Sequence, residues 1–169
     1  GERALNEVCS KGFKHNEQSI RVVERLEKKG RGLNLTVEVR DGILHHKTTG
    51  SPSTLEGKIV QLADKIAYIN HDIDDAIRGG ILLEQDLPQQ CTDILGNRTR
   101  DRLNTIIHDV IANSEGKNDI VCSPDIRQAM TVLRSFLFDT VYTNPMAKGE
   151  EGKAKRMLQE LFNYYISRP

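Results

Sequence analysis

Apolar positions recur along most of this chain at the three-and-four spacing of helices. Ala4, Leu5 and Val8 form a short opening stripe. A second helix is predicted from about His15 to Lys29, with Ile20, Val23 and Leu26 inward and Gly30 ending it. Leu33 to Val39 alternates apolar and polar residues, and by pattern alone reads as a strand. Gly50-Ser51-Pro52-Ser53-Thr54 is loop chemistry, with Ser53 or Thr54 available as an N-cap. The longest periodic segment follows, from Leu55 to Arg78, closed by Gly79-Gly80. Beyond it the pattern predicts an element from Asp86 to Leu95 and helices over Asn97–Ser114, Pro124–Tyr142 and Glu150–Ile166. Asn-Pro and two glycines mark Thr143 to Gly152 as a connector. The expectation is an all-α domain.

The segment Leu55–Arg78 carries two stripes. Leu55, Ile59, Leu62, Ile66, Ile69, Ile73 and Ala76 gather on one side of the wheel, the predicted core face. Asp64, Tyr68, His71, Asp72 and Asp75 lie opposite, within an arc of roughly 100°. A second stripe of this kind is ordinarily a solvated face. Here it offers Asp, Tyr and His, groups that ligate or hydrogen-bond, with Lys65 at its edge. One Asp on one helix does not make a metal site.

Composition narrows the class. Lys and Arg together equal Asp and Glu at 24 each, so no global field favours nucleic acid or an anionic membrane. No apolar run approaches bilayer length, and the first residues show no signal-peptide pattern. Trp is absent and aromatics are few, which leaves the core to Ile, Leu, Val and Ala. Cys9, Cys91 and Cys122 are odd in number and widely spaced, which argues against a disulfide framework or cysteine zinc site and for reduced thiols in the cytoplasm. The chain opens Gly-Glu-Arg-Ala-Leu without Met, and Gly1 is taken as an interior residue of a longer protein. No phosphate loop of the G-x-x-x-x-G-K-[ST] type occurs.

Other polar groups keep two readings. Arg98 and Arg102 share a helix face and could grip a nucleotide phosphate, or could simply be ion-paired at a helix start. His45 and His46 are adjacent, so one helix face cannot present both to a metal. His108 reads as a core-edge residue, and Tyr164-Tyr165 as packing for a terminal helix. His15 alone would be a residue opening its helix.

Leu62-Ala63-Asp64-Lys65-Ile66-Ala67-Tyr68-Ile69-Asn70-His71-Asp72-Ile73-Asp74-Asp75 resembles the final metal-ligand helix of dGTPase-like HD phosphohydrolases. Gly12-Phe13-Lys14-His15-Asn16-Glu17-Gln18-Ser19-Ile20-Arg21-Val22-Val23 resembles an earlier block of the same family, and Gly32-Leu33-Asn34-Leu35-Thr36 with Asp41-Gly42-Ile43-Leu44 the segment between them. Looser likeness continues through Leu133–Phe138 and Leu161-Phe162. The resemblance moves Leu33–Val39 from strand to helix. It implies an HD-domain-like helical bundle, all-α, read as one helical fragment over residues 1–169: 1–80 the end of the catalytic core, 81–169 a C-terminal helical region packed on it.

The family's metal site uses a His, an adjacent His-Asp pair and a distant Asp. Asp64 matches the distant Asp; the earlier ligands have no counterpart here, so the first metal-ligand helices are absent. Gly1-Glu2 resembles the end of the family's Gly-His-x-Gly-Glu segment. The resemblance therefore implies Asp64 as a ligand of a divalent cation, Mn²⁺ or Mg²⁺, with a transition metal as the alternative for a tightly held ion. It implies Lys65 on phosphate, Tyr68 and Asp72 at a deoxyribose, and His15 as a donor near the α-phosphate. Glu2 would orient an upstream histidine, and His71 would support the Asp64 face. The implied reaction is release of inorganic triphosphate from a deoxynucleoside triphosphate, in a homo-oligomeric protein that deoxynucleotides could also regulate. The rival reading is an HD scaffold without catalysis, serving as a regulatory or nucleotide-binding module; an HD phosphohydrolase for another nucleotide is a third.

Overall fold

The computed structural model describes residues 1–168, apart from the side chains at positions 146 and 147. Its regular elements are all helical: α1 (Glu2–Val8), α2 (His15–Arg21), a one-turn α3 (Glu27–Gly30), α4 (Val37–His45), α5 (Leu55–Arg78), α6 (Gln89–Leu95), α7 (Thr99–Ser114), α8 (Pro124–Leu137) and α9 (Pro145–Ile166). Wide π-turns extend α2 over Val22–Leu26 and α8 over Phe138–Tyr142, and a 3₁₀ turn covers Glu84–Asp86. Two compact units result, one of residues 1–61 with 148–169, the other of residues 62–147. The division expected from the sequence lies after residue 80.

In the second unit a single apolar cluster forms from the predicted face of α5 and its neighbours. Ile66, Ile69, Ile73 and Ala76 bury against Leu82, Leu87, Cys91 and Leu95, with Ile106 from α7 and Ile126, Ala129, Met130, Leu133 and Leu137 from α8. No aromatic side chain is among these buried residues, as the composition led us to expect. Ser123 caps α8 by accepting from the Ile126 N–H at 3.4 Å, and Pro124 occupies its first turn. Beneath the other edge of α5 lies a buried cation. Arg102 donates to Asn70 Oδ1 at 2.8 Å, to the Asn97 carbonyl at 2.6 Å and to Thr99 Oγ1 at 2.7 Å, with Asp74 4.0 Å away.

The first unit is assembled more by polar ties. Glu7 on α1 meets Lys155 on α9 at 2.7 Å, and Gln159 donates to the Ala4 carbonyl at 3.2 Å. Helices α4 and α5 cross at Gly42 and Gly57, where a Cβ added at Gly57 would lie 3.4 Å from the Gly42 Cα and 2.7 Å from Pro52 Cβ. Thr54 is the residue that opens α5, accepting from the Gly57 N–H at 3.1 Å.

Several expectations are corrected. The right-handed helix from His15 does not reach Lys29: within the short turn α3, Lys28 and Lys29 take left-handed φ of 50° and 59°, and the chain doubles back. Gly32 presses onto the preceding turn so closely that a Cβ there would sit 2.1 Å from the Glu24 carbonyl oxygen. Leu33–Leu35 is neither strand nor helix; α4 begins at Val37, with Thr36 accepting from the Val39 N–H. The connector before α9 is shorter than expected, because Pro145 starts that helix and Gly149 and Gly152 lie within it, in open space. Ile59, assigned to the core face, is 50% exposed. His108 is exposed as well, and Tyr164 and Tyr165 stack edge-to-face on each other (centroids 5.3 Å apart) while remaining largely exposed.

Candidate functional site

Two groupings of the expected residues emerge, one in each unit. The first is on α1 and α2. Glu2 Oε2 accepts from the His15 backbone N–H at 2.9 Å and is also the partner of His15 Nδ1. A carboxylate can only accept, so Nδ1 carries the ring hydrogen and Nε2 is left for other chemistry. Glu2 was expected to orient a histidine upstream of Gly1; the imidazole it holds in this structure is His15. The backbone and side-chain hydrogen bonds from His15 hold the Glu2 carboxyl below its usual range, with Lys47 a minor contributor. A second ring closes on His15: the His46 centroid lies 5.1 Å away at an interplanar angle of 73°. Asn16, buried beside it, donates to the Leu44 carbonyl at 2.8 Å and so ties α2 to the end of α4.

The second grouping is on the polar face of α5. Asp64 is exposed, Lys65 is half-buried beside it, and His71 is exposed on the same face. Asp75 pairs with Arg78 at 3.4 Å, the salt-bridge role that its spacing allowed. Tyr68 is half-buried, and its hydroxyl oxygen is fully covered with no hydrogen-bond partner among the described residues. One turn on, Asp72 Oδ2 accepts from the phenol of Tyr142. Burial first, then the Asp72 carboxylate, push the Tyr142 phenol far above its ordinary value, so it remains a donor at all ordinary pH. Tyr142 closes a π-turn and was not singled out from the sequence. Its partner is 70 residues away, and no local pattern links the two.

Arg102 cannot serve a nucleotide. Its side chain is committed to Asn70, Asn97 and Thr99, and it is 2% exposed. For Arg102 the ion-paired alternative is the one realised, while Arg98 is exposed. Among the described residues, no group of three or more His, Cys, Asp or Glu is arranged to hold a metal ion. Asp64 and the other described residues therefore do not by themselves compose a metal site. No helix among the described residues is long and apolar enough to cross a membrane.

The scaffold on which these two groupings sit is all-helical among the described residues. A family described as a phosphohydrolase-associated domain matches residues 120–169. The chain is 56% identical over 165 residues to a deoxyguanosinetriphosphate triphosphohydrolase-like protein of Caldanaerobacter subterraneus subsp. tengcongensis, covering 98% of this chain and 49% of that protein. A protein of the same name from Clostridium tetani is 46% identical, with 98% and 51% covered. One from Ralstonia nicotianae is 32% identical over 224 residues, with 100% and 58% covered. The chain belongs with the dGTPase-like branch of the HD phosphohydrolases, and it spans about half the length of the curated relatives it matches.

Proposed function

We propose that the full-length protein hydrolyses deoxynucleoside triphosphates, of which dGTP is the first candidate from the relatives' names, to deoxynucleoside and inorganic triphosphate. The observation that carries this reading is the pair of unmet hydrogen-bonding positions on α5. The Tyr68 hydroxyl is covered and without a partner, and Asp72 has one carboxylate oxygen taken by Tyr142 while Oδ1 stays available to accept. A buried hydroxyl left unpaired costs about 1–3 kcal/mol. Tyr68 is relieved of that cost only if its cover moves; a ligand hydroxyl that donates to Asp72 Oδ1 fills the open acceptor as the structure stands, and the 3′-hydroxyl of a deoxyribose is such a group. Lys65, one position after Asp64, meets phosphate as a point charge.

In this reading water attacks the α-phosphorus, a new P–O bond forms, and the bond from phosphorus to O5′ breaks. His15 Nε2 gives a proton to O5′ while Glu2 holds the opposite nitrogen, and the proton lost by the attacking water passes to solvent, from which His15 is recharged. The divalent cation, Mn²⁺ or Mg²⁺ or a more tightly held transition metal, enters the proposal only through Asp64. Homo-oligomerisation and a deoxynucleotide effector belong to the same proposal.

The test is a comparison of dGTP with its 2′,3′-dideoxy analogue in the wild-type protein and Asp72→Asn. Loss of a charge-assisted bond to the 3′-hydroxyl predicts that Asp72→Asn raises KM for dGTP by about tenfold or more and leaves the dideoxy analogue, already poor, nearly unchanged. Equal losses on both substrates would remove Asp72 from sugar recognition. Absence of turnover in the wild type with every deoxynucleotide would favour the regulatory module.

A further inference from the structure

His46 is the group around His15 that neither the composition nor the family resemblance assigns. We propose that it is a positioning residue for the His15 imidazole, holding that ring in the orientation in which Glu2 can fix its Nδ1 proton. This rests on the reading of His15 as a proton donor.

Glu2 alone leaves the problem half solved. The His15 side chain is 49% exposed, and a ring tied at one nitrogen still swings about its own axis. The edge-to-face contact with His46, 5.1 Å between centroids, closes that freedom from another side. His46 is itself fixed. Its Nδ1 lies 2.7 Å from the Ile43 carbonyl, which can only accept, so the ring is the Nδ1–H tautomer with a defined orientation.

The backbone carrying His46 is fastened on both sides. Gln61 Nε2 reaches the His45, Lys47 and Gly50 carbonyls at 3.2, 2.8 and 2.9 Å, so it grips the chain on both sides of His46. Asp41 holds His45 Nδ1 at 2.8 Å through one oxygen, and the Ser53 N–H and hydroxyl at 2.7 and 2.8 Å through the other. The Gly42–Gly57 crossing sets the approach of α4 to α5. These ties also satisfy carbonyls at and past the end of α4, and together they fix where the His46 ring edge meets His15. The charged groups around the pair are Glu2, Lys47, and the Lys14–Glu17 pair on His15's own turn.

The test uses the full-length protein and the variants His46→Ala and His46→Phe. Phe restores the ring edge without a titrating nitrogen. Two signals are read: the downfield proton NMR resonance of the His15 Nδ1–H, and the split of steady-state kinetics into kcat and KM. His46→Ala should broaden the resonance into exchange and lower kcat about tenfold, with KM within about twofold, as expected when a reacting group is misaimed and binding is kept. His46→Phe should keep the resonance and most of kcat. Gln61→Leu, which frees the segment without touching either ring, should weaken the resonance in the same direction. A sharp resonance and full kcat in His46→Ala overturn the proposal, and so does a Phe variant as impaired as Ala. The NMR arm needs no turnover, so a protein inactive on every deoxynucleotide overturns the catalytic reading of His15 and still decides whether His46 positions it.

Discussion

The phenol of Tyr142 donates to the carboxylate of Asp72, joining the π-turn after α8 to the polar face of α5. One oxygen of Asp72 is thereby aimed and the other is left to accept. Tyr142→Phe removes the donor and little else. Because Tyr142 is 39% exposed, the expected stability loss is at most about 1 kcal/mol in urea denaturation. The expected kinetic effect is larger, a rise of roughly threefold to tenfold in KM for a deoxynucleoside triphosphate. An unchanged KM would show that Asp72 needs no help to hold its aim.

Arg102 should behave as a structural cation. Burial pulls its pKa down, opposed by Asp74, Glu84 and Asp101. Arg102→Met leaves Asn70 Oδ1 unpaired in a site 3% exposed, and about 2–4 kcal/mol of stability should be lost. Arg102→Lys should recover only part of this, because an ammonium cannot reproduce the three-way fork. Equilibrium denaturation measures both; near-wild-type stability for the Met variant would remove Arg102 from the scaffold.

The glycines separate into two kinds. Gly57→Ala drives a Cβ to 2.7 Å from Pro52 Cβ and 3.4 Å from Gly42 Cα, and should cost about 1–3 kcal/mol. Gly149→Ala places a methyl in open space within α9, and should add about 0.5–1 kcal/mol. Paired thermal melts check both signs. Stabilisation by Gly57→Ala would mean that the helix crossing is looser than described.

Acid sensitivity follows from the lowered carboxylates. The Glu2 carboxyl is held down by His15, and Asp41 by the Ser53 N–H and hydroxyl, with His45 contributing less. A depressed folded-state pKa contributes stability that is fully present above the unfolded value and is lost as pH falls through the folded one. Those starting points are 4.5 for Glu2 and 3.8 for Asp41. Glu2→Gln should therefore be less stable than wild type above about pH 5, and the gap should close as the pH falls through and below 4.5. A gap that widens on acidification would contradict the pairing.

The sequence made some of this plain and hid the rest for identifiable reasons. Both ends of α5 were legible, because loop residues precede it and Gly79-Gly80 follows an unbroken apolar stripe. Ile59 broke the stripe rule because periodicity names a face without saying how far along it a neighbour packs. Leu33–Leu35 defeated the pattern because alternation reports side-chain spacing and says nothing of a pairing partner. Gly149 and Gly152 looked like a connector; a helix nucleated at Pro145 and tied through Lys155 and Gln159 tolerates both. The Tyr142–Asp72 bond and the burial of Arg102 are products of tertiary packing, with partners 70 and 32 residues apart.

The most direct measurement is phosphorus NMR of the products formed by the full-length protein with dGTP and Mn²⁺. The account predicts inorganic triphosphate and deoxyguanosine in equal amounts, with no pyrophosphate or dGMP, and loss of that turnover in His15→Ala. Release of pyrophosphate or orthophosphate instead, or no product with any deoxynucleotide present, would contradict it.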